Sequence, residues 1–241
     1  MKLLPHSRIV RLKILTLSFF EKILKECISI WGGIFKKDTP DETAIQEDVN
    51  TRKGVERIII AAFEYAQKHG RKSVTMADKS NVLRFGHDLW QRTFADVALR
   101  YPGIKAETEY VDVLAMRMTL KPDQYEVIVT NNMFGDIITD LGAALQGGLG
   151  VAASGSINPG KVSLFEPVHG SAPKYAGKNI VNPIGAVLSA GMLLEYVGYG
   201  EAARGIENAV LQTIVTKQTT RDLGGSLSTT AAGDAISLAM K

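Results

Sequence analysis

Two aspartates four residues apart, Asp136 and Asp140, could bind a divalent cation. They lie in a stretch from Glu126 to Gly150, which opens with an apolar run typical of a buried strand and continues with apolar residues at helical spacing. A separation of four places both carboxylates on one helix face, where they repel each other unless a cation lies between them. Carboxylate oxygens suit Mg²⁺ or Mn²⁺. Taken alone, the pattern also fits one capping aspartate and one solvated aspartate.

Two other predicted strands end at residues that could join this chemistry. Asp112 follows the strand from Ala106 to Val111, and Lys79 and Asn81 follow the strand from Ser73 to Met76. In open α/β sheets, ligands bind just beyond the carboxyl ends of the strands. A lysine near a divalent ion can have a lowered pKa and transfer protons, although most lysines are simply exposed. The two junctions therefore supply a third acid and a candidate proton carrier.

A long irregular stretch, residues 166–185, is dense in glycine, proline, asparagine and charged residues. Irregular segments of this length inside a compact domain are usually either functional or disordered. Apolar helices are predicted on its C-terminal side, and an apolar strand (Val162 to Phe165) precedes it. We therefore expect an ordered, functional loop.

The elements that would position these residues alternate between strands and helices. Besides the stretches above, helical spacing of apolar residues predicts further helices. One begins at Thr51, a second ends near Leu99, and a third begins at Asp112 and runs through Met116 to Leu120. The last three cover about 184–197, about 201–216, and a stretch that begins at Thr229 or Thr230. The segment from Gly32 to Asp41 reads as a turn and hairpin. The alternation predicts an α/β fold with an at least partly parallel sheet.

The composition and charge of the chain exclude several classes of function. The 241 residues are 45% hydrophobic and 22% charged, as in a globular protein. The net charge of +3, with no run of five basic residues, argues against nucleic-acid binding. One cysteine, Cys27, excludes an intramolecular disulfide framework and favours a cytoplasmic enzyme. No apolar run reaches the roughly 18 residues of a transmembrane helix.

The N-terminal segment from Met1 to Ile30 is basic and apolar, with Glu21 and Glu26 among the charged residues that interrupt it. No small-residue cleavage site follows the apolar run. This pattern favours an amphipathic helix packed on the protein over a targeting signal.

Four stretches carry a resemblance to a known family: DKSNVL from Asp78, YVDVLAM from Tyr110, NNMFGDIITD from Asn131, and FEPVHGSAPKYAGKNIVNP from Phe165. They resemble the β-decarboxylating dehydrogenases, which include 3-isopropylmalate, isocitrate, homoisocitrate and tartrate dehydrogenases. The stretches occur in the family's order and spacing from about Gly32 onward. FEPVHGSAP is most similar to the isopropylmalate branch. The resemblance implies a two-domain α/β enzyme.

The resemblance also implies roles for the residues at the strand ends. The family oxidises a 2-hydroxy acid with NAD(P) and then releases the β-carboxyl group as CO₂. Asp136 and Asp140 would bind Mg²⁺ or Mn²⁺ in their own subunit, and Asp112 would complete the metal site from the partner of a homodimer. Lys79, with Asn81 beside it, would reach into the partner's active site as a proton shuttle.

The irregular loop is similar to the family's adenosine loop, and G-x-G-x-x-G is absent. The implied cofactor-binding residues are His169, Gly170, Ser171, Ala172, Lys174, Tyr175, Asn182 and Arg221. NAD-type relatives carry an acid where this chain has Lys174, and a cation suits a 2′-phosphate. Arg221 matches a further phosphate contact of the NADP branch, whereas Lys217 replaces a tyrosine of that branch. The pattern leans to NADP.

The resemblance stops short of the N-terminus. Relatives are longer and carry substrate-binding arginines and part of the nucleotide domain in a segment unlike residues 1–31, and Ile28 stands roughly where a catalytic tyrosine is expected. We predict an unmatched segment at 1–33, a small domain with the dimer arm and metal site at 34–146, and an incomplete large, cofactor-binding domain at 147–241. The substrate stays open, and so does the choice between a dehydrogenase, alone or complemented, and a non-catalytic dimerising remnant.

Overall fold

The computed structural model describes residues 32–158 and 160–240, which form two compact units divided between Thr139 and Asp140. The predicted amphipathic helix at Met1 to Ile30 lies outside the described residues. No helix in the described part of the chain is long and apolar enough to cross a membrane.

The first unit begins with a two-stranded antiparallel ribbon. Strand β1 (Gly32–Phe35) pairs with β2 (Thr43–Gln46), and every residue of both strands is exposed. Lys36 and Asp38 adopt positive φ in the connecting turn. The ribbon confirms the predicted hairpin, whose second strand runs to Gln46, beyond the Asp41 limit expected from the turn residues.

A three-stranded parallel sheet organises the rest of the first unit. Its order is β4-β3-β5, with β3 at Ser73–Asp78, β4 at Lys105–Tyr110 and β5 at Val127–Val129. The helices are α1 (Arg52–Lys68), α2 (Gly86–Ala98), α3 (Val111–Leu120) and the N-terminal half of α4 (Asn132–Gln146), within which the two units divide. The parallel pairing confirms the α/β fold, and the carboxyl ends of all three strands meet at one sheet edge.

The core of the first unit joins helices α1 and α2 to the sheet. Ile59 and Phe63 of α1, Phe94 of α2 and Val74 and Val127 of the strands belong to one buried cluster. The ring centroids of Phe63 and Phe94 are 5.5 Å apart. This packing fixes the position of α2 relative to β3, and through it the loop between them.

The second unit combines a two-stranded antiparallel sheet with helices. Its elements after α4 are β6 (Ala153–Ser156), β7 (Leu164–Pro167), α5 (Ile184–Tyr196), α6 (Gly200–Val215) and α7 (Thr229–Ala239). The predicted strand at Val162 to Phe165 is therefore shifted by two residues, and β6 was not predicted at all. The irregular loop holds only the single 3-10 turn Pro173–Tyr175 between β7 and α5, as expected.

Helix α5 is apolar on nearly all sides but only partly covered. Its buried residues are Ile184, Gly185, Ser189 and Gly191. Leu193 and Tyr196 are 43% and 39% exposed, and Val197, which follows the helix, is 53% exposed. A helix apolar all round is ordinarily buried. The second unit thus presents an exposed apolar surface along α5.

Candidate active site and cofactor loop

Three of the residues singled out from the sequence follow strands that end on one side of the parallel sheet. Lys79 directly follows β3, and Asp112 lies in the first turn of α3, which follows β4. Helix α4, with Asp136 and Asp140, begins three residues after β5. In a parallel sheet, this edge is where ligands bind.

Lys79 and Asp112 are joined by an ion pair. The Lys79 Nζ lies 2.6 Å from Asp112 Oδ1, and it lies 5.6 Å from the centre of the Tyr110 ring. The side chain of Lys79 is 25% exposed, whereas that of Asp112 is 62% exposed. The hydrogen bond from Lys79 holds the pKa of the Asp112 carboxyl below its ordinary value. The pair keeps one carboxylate ionised and accessible at the sheet edge.

Asp136 and Asp140 are both exposed on α4, one helical turn apart. The residue before the helix, the buried Asn131, accepts a hydrogen bond of 2.9 Å at its Oδ1 from the Phe134 amide. Two carboxylates on one exposed face have the oxygen donors that Mg²⁺ or Mn²⁺ takes. Among the described residues, no group of three or more acidic, histidine or cysteine side chains could hold a metal ion. The shared site with Asp112 from a partner stays a prediction.

Asn81 is exposed on the loop that joins β3 to α2. The Lys79 carbonyl accepts hydrogen bonds from the amides of Val82 at 2.9 Å and Leu83 at 2.8 Å. This tight turn fixes the backbone on both sides of Asn81. The loop therefore presents Lys79 and Asn81 from a defined backbone.

Asp78 and Gln91 support this loop, and neither was predicted as a site residue. Asp78 is fully buried; its Oδ1 accepts from the Ser80 amide at 3.1 Å and its Oδ2 accepts from Gln91 Nε2 at 2.8 Å. Gln91 Nε2 also lies 2.8 Å from Ser80 Oγ. These contacts link β3 to α2 across the turn. A polar residue at the end of a strand, such as Asp78, is only a weak indication of such a role in sequence. Its partner Gln91 can be identified only when the packing of α2 against β3 is known.

His87 is a second buried residue that sequence reasoning missed. Its Nδ1 accepts a hydrogen bond of 3.1 Å from the backbone amide of Lys79, and its Nε2 lies 3.4 Å from Asn131 Nδ2. Burial lowers the pKa of His87, and the carboxylates of Asp78 and Asp48 partly oppose that shift. The only sequence signal is a histidine at a buried position of α2.

The irregular loop of the second unit forms one wall of a cavity of about 390 Å³. The residues that line it are Ser171, Ala172, Tyr175, Ala176, Gly177, Asn179, Val181 and Thr229. Ala172 and Asn179 have φ of 45° and 53°, so the loop turns sharply at both. Three of the predicted cofactor residues, Ser171, Ala172 and Tyr175, therefore meet at one cavity.

His169 offers an unused acceptor beside the exposed Gly170. Its Nδ1 lies 3.0 Å from the Gly170 carbonyl, to which it donates, so Nε2 is an acceptor. Nε2 is buried and has no hydrogen-bond partner among the described residues. Buried polar atoms are normally paired, so an unpaired one fits a missing ligand group. The amino group of an adenine ring is a donor of the required kind.

The remaining predicted cofactor residues are two exposed cations and one buried asparagine. Lys174 and Arg221 are exposed, and Lys174 Nζ lies 4.8 Å from the centre of the Tyr175 ring. Asn182 is only 6% exposed; its Nδ2 donates to Asp222 Oδ2 at 2.8 Å and its Oδ1 accepts from the Ile184 amide at 2.9 Å. Asn182 thus holds the residue next to Arg221, a contact that the sequence did not predict.

Comparison with known proteins adds an independent observation. A family profile described as isocitrate/isopropylmalate dehydrogenase matches residues 28–236. The chain is 43% identical over 211 residues to a 3-isopropylmalate dehydrogenase of Frankia casuarinae, covering 84% of this chain and 62% of that protein. It is 48% identical over 196 residues to a homoisocitrate dehydrogenase of Methanocaldococcus jannaschii, covering 81% of this chain and 56% of the relative.

A solved structure shows the same fold. The crystal structure of isocitrate dehydrogenase from Methylococcus capsulatus superimposes with a TM-score of 0.83 at 38% identity, covering 89% of this chain and 64% of that one. The chain spans 56% to 62% of the length of the curated relatives described above.

Proposed function

Because the chain belongs to the isocitrate/isopropylmalate dehydrogenase family, we propose that it supplies the small domain and part of the cofactor domain of a 3-isopropylmalate-type dehydrogenase. The reaction is the metal-dependent oxidation of a 2-hydroxy acid by NAD(P), followed by loss of the β-carboxyl group as CO₂. The observation that carries this proposal is the ion pair between Lys79 and Asp112, 2.6 Å apart, at the carboxyl ends of two adjacent parallel strands.

Asp136 and Asp140 would hold Mg²⁺ or Mn²⁺ together with Asp112 of the partner in a homodimer. The support is chemical: all three are carboxylates, two lie one turn apart on α4, and the hydrogen bond from Lys79 lowers the pKa of the third. A bound divalent ion would acidify the substrate hydroxyl and stabilise the negative charge left by decarboxylation. The carboxylates orient the ion and offset its charge.

Lys79 would carry the proton that leaves and returns during the reaction. Its ammonium group is partly shielded from solvent and lies beside a carboxylate, so it can hold a proton at Nζ and donate it over a short distance. Asn81, presented by the same turn, would position substrate. Both residues would act in the partner's active site.

His169, Gly170, Ser171, Ala172, Lys174, Tyr175, Asn182 and Arg221 would bind the cofactor. The free Nε2 of His169 and the adjacent cavity suit an adenine ring. The exposed ammonium of Lys174 suits a 2′-phosphate, so NADP is favoured over NAD. Asn182 would contribute indirectly, because its hydrogen bond to Asp222 fixes the residue next to Arg221.

The substrate class is a small 2-hydroxy di- or tricarboxylic acid. Isopropylmalate is the first candidate because several relatives at 43% to 45% identity are 3-isopropylmalate dehydrogenases. Isocitrate, homoisocitrate and tartrate are the alternatives. A cytoplasmic location is proposed from the cysteine content alone.

The proposal is tested by complementation. The purified chain is assayed with Mg²⁺, 3-isopropylmalate or isocitrate, and NAD or NADP, with and without the N-terminal segment of a relative supplied in trans or by fusion. We expect no measurable reduction of the cofactor by the chain alone and measurable reduction with the added segment. The Lys79→Met variant of the complemented enzyme should be inactive, whereas Lys121→Met, which alters an exposed lysine beyond α3, should keep its activity.

The outcomes separate the two hypotheses. Turnover by the isolated chain would overturn the expectation that the added segment is required. No turnover with any added segment, in spite of a folded complex, would favour a non-catalytic dimerising remnant.

A further inference from the structure

We propose that His87 is a positioning residue, which holds the backbone amide of Lys79 while its ring packs against the start of α4. The inference rests on the proposed function for the roles of Lys79 and of the carboxylates on α4. It is carried by the geometry around a fully buried imidazole that the proposed chemistry does not use.

The first contact of His87 is with the backbone of Lys79. The Lys79 amide donates to Nδ1 over 3.1 Å, so Nδ1 carries a lone pair and the neutral ring carries its proton on Nε2. Within the turn, Ser80 is held separately by Asp78 and Gln91. His87 therefore supplies the contact at Lys79 itself. Without that contact, the partly buried amide would lose its acceptor.

The second contact of His87 is with the N-terminus of α4. Nε2 lies 3.4 Å from Asn131 Nδ2, and the ring lies 5.5 Å from the ring of Phe134. Both groups are donors in this tautomer, so the approach is a van der Waals contact and not a hydrogen bond. Asn131 in turn caps α4 through the Phe134 amide. One side chain thus contacts the lysine loop and the first turn of the helix that bears Asp136.

The neutral form of His87 is required for this arrangement. A proton on Nδ1 would turn the acceptor into a donor that faces the Lys79 amide. Burial disfavours that proton, while the carboxylates of Asp78, at the end of β3, and Asp48, in the segment before α1, favour it. The buried position therefore maintains the acceptor against two nearby negative charges.

The experiment uses the full chain and needs no turnover. Ring ¹⁵N spectra of His87 report its tautomer, amide hydrogen exchange reports the Lys79 hydrogen bond, and mass spectrometry after brief acetylation reports the reactivity of the Lys79 side chain. The variants are His87→Phe, which keeps bulk but has no acceptor, and His87→Gln, which offers an amide oxygen. His69→Gln, at the end of α1, is the matched control.

We expect the Nε2–H tautomer in the unmodified chain. In His87→Phe, the Lys79 amide should exchange about tenfold faster, on the scale of one net hydrogen bond, and the acetylation rate of Lys79 should change relative to Lys53. His87→Gln should restore much of the protection, and His69→Gln should leave both readouts unchanged. A role in packing alone predicts no rescue by Gln.

An Nδ1–H tautomer would overturn the proposal, as would equal Lys79 exchange and acetylation in a folded His87→Phe variant. If that variant does not fold, the tautomer and the His87→Gln measurements decide. Failure of complementation together with the expected His87 results would count against the proposed function and leave this inference standing.

Discussion

At the scale of single residues, the sheet edge pairs a cation with the carboxylate predicted to ligate a metal. Lys79 holds the pKa of Asp112 below its ordinary value through a hydrogen bond. We predict that Lys79→Met raises the pKa of Asp112 toward that of an unpaired aspartate, as measured by carboxyl titration in NMR spectra. Arg92→Met, which breaks the separate pair with Asp88, should not affect Asp112. No shift in Lys79→Met would show that the ion pair does not form in solution.

The second prediction at this scale concerns the cofactor loop. Lys174→Asp should weaken NADP binding by roughly 1.5–3 kcal/mol, the usual contribution of hydrogen bonds to charged groups, because the cation facing the 2′-phosphate is lost. NAD binding should change little or improve. Both affinities are measured by titrating the full chain with each cofactor.

Lys178→Asp is the control for that prediction, since it makes the same charge change elsewhere on the loop. Equal losses for NAD and NADP in Lys174→Asp would mean that Lys174 does not contact the phosphate. Equal losses in both variants would indicate a general effect of charge on the loop.

The sequence supports predictions for residues that follow strands, but it gave no indication of His87, Asp78 and Gln91, which support the loop between β3 and α2. Lys79, Asp112, Asp136 and Asp140 follow strands, a position that periodicity can locate. The role of His87 depends on packing of α2 against β3 and on contact with a residue 44 positions away, Asn131. Such contacts have no local pattern, because helix side chains are matched to their partners only in the folded unit.

At the scale of elements, the buried His87 makes the stability of the β3–α2 region depend on pH. Its pKa is lowered by burial, so the folded state binds fewer protons than the unfolded state below the ordinary histidine value of about 6.5. The free energy of unfolding should therefore fall as the pH decreases from about 7 to 5. His87→Gln should show a shallower dependence in this window, as measured by denaturant unfolding at each pH. Parallel curves would contradict the burial effect.

The packing between α1 and α2 supports a further prediction. Phe63 is fully buried and Phe85 is 94% exposed, so the two phenylalanines form a matched pair. Phe63→Ala should lower the free energy of unfolding by about 3–5 kcal/mol through lost burial and a cavity. Phe85→Ala should change it by less than about 0.5 kcal/mol. Chemical denaturation measures both; similar losses would show that the cluster around Phe63 does not control unfolding.

The elements that were predicted well are those with apolar periodicity. The helices and the parallel strands follow clear patterns of spacing, whereas β6 has the sequence Ala-Ser-Gly-Ser, which contains no residue with a high strand propensity. Strand β6 forms because it pairs with β7 and because α5 packs against both strands. Neither contact can be recognised from the local sequence of β6. The predicted bounds of β7 were two residues too early because Val162, an apolar residue that resembles a core residue in sequence, is exposed.

At the scale of the whole molecule, the chain spans about three fifths of the length of its curated relatives, and α5 has an exposed apolar surface. We predict that the purified chain self-associates through this surface. Replacing Leu193 and Val197 by lysine should reduce self-association in sedimentation experiments, because exposed apolar area is removed.

The same double variant provides the discriminating result. It should also lose the rescue by an added N-terminal segment, because that segment would pack where the lysines now lie. Unchanged self-association would show that the chain does not associate through the α5 surface. Undiminished rescue would show that the added segment does not pack there. Lysine replacements of Val215 and Leu238, which are also exposed in the second unit, are the control.

The strand order β4-β3-β5 has a consequence for synthesis on the ribosome. Strand β3 pairs with β4 soon after both have emerged, but its other neighbour, β5, is separated from it by some 50 residues: Val74 lies opposite Val127. Glu126 makes the same long connection, accepting hydrogen bonds from the amides of Lys72 and Ser73. At about 5–20 residues per second, β3 waits seconds with one edge open. The nascent chain therefore passes through an aggregation-prone stage, at which a chaperone that shields strand edges would act.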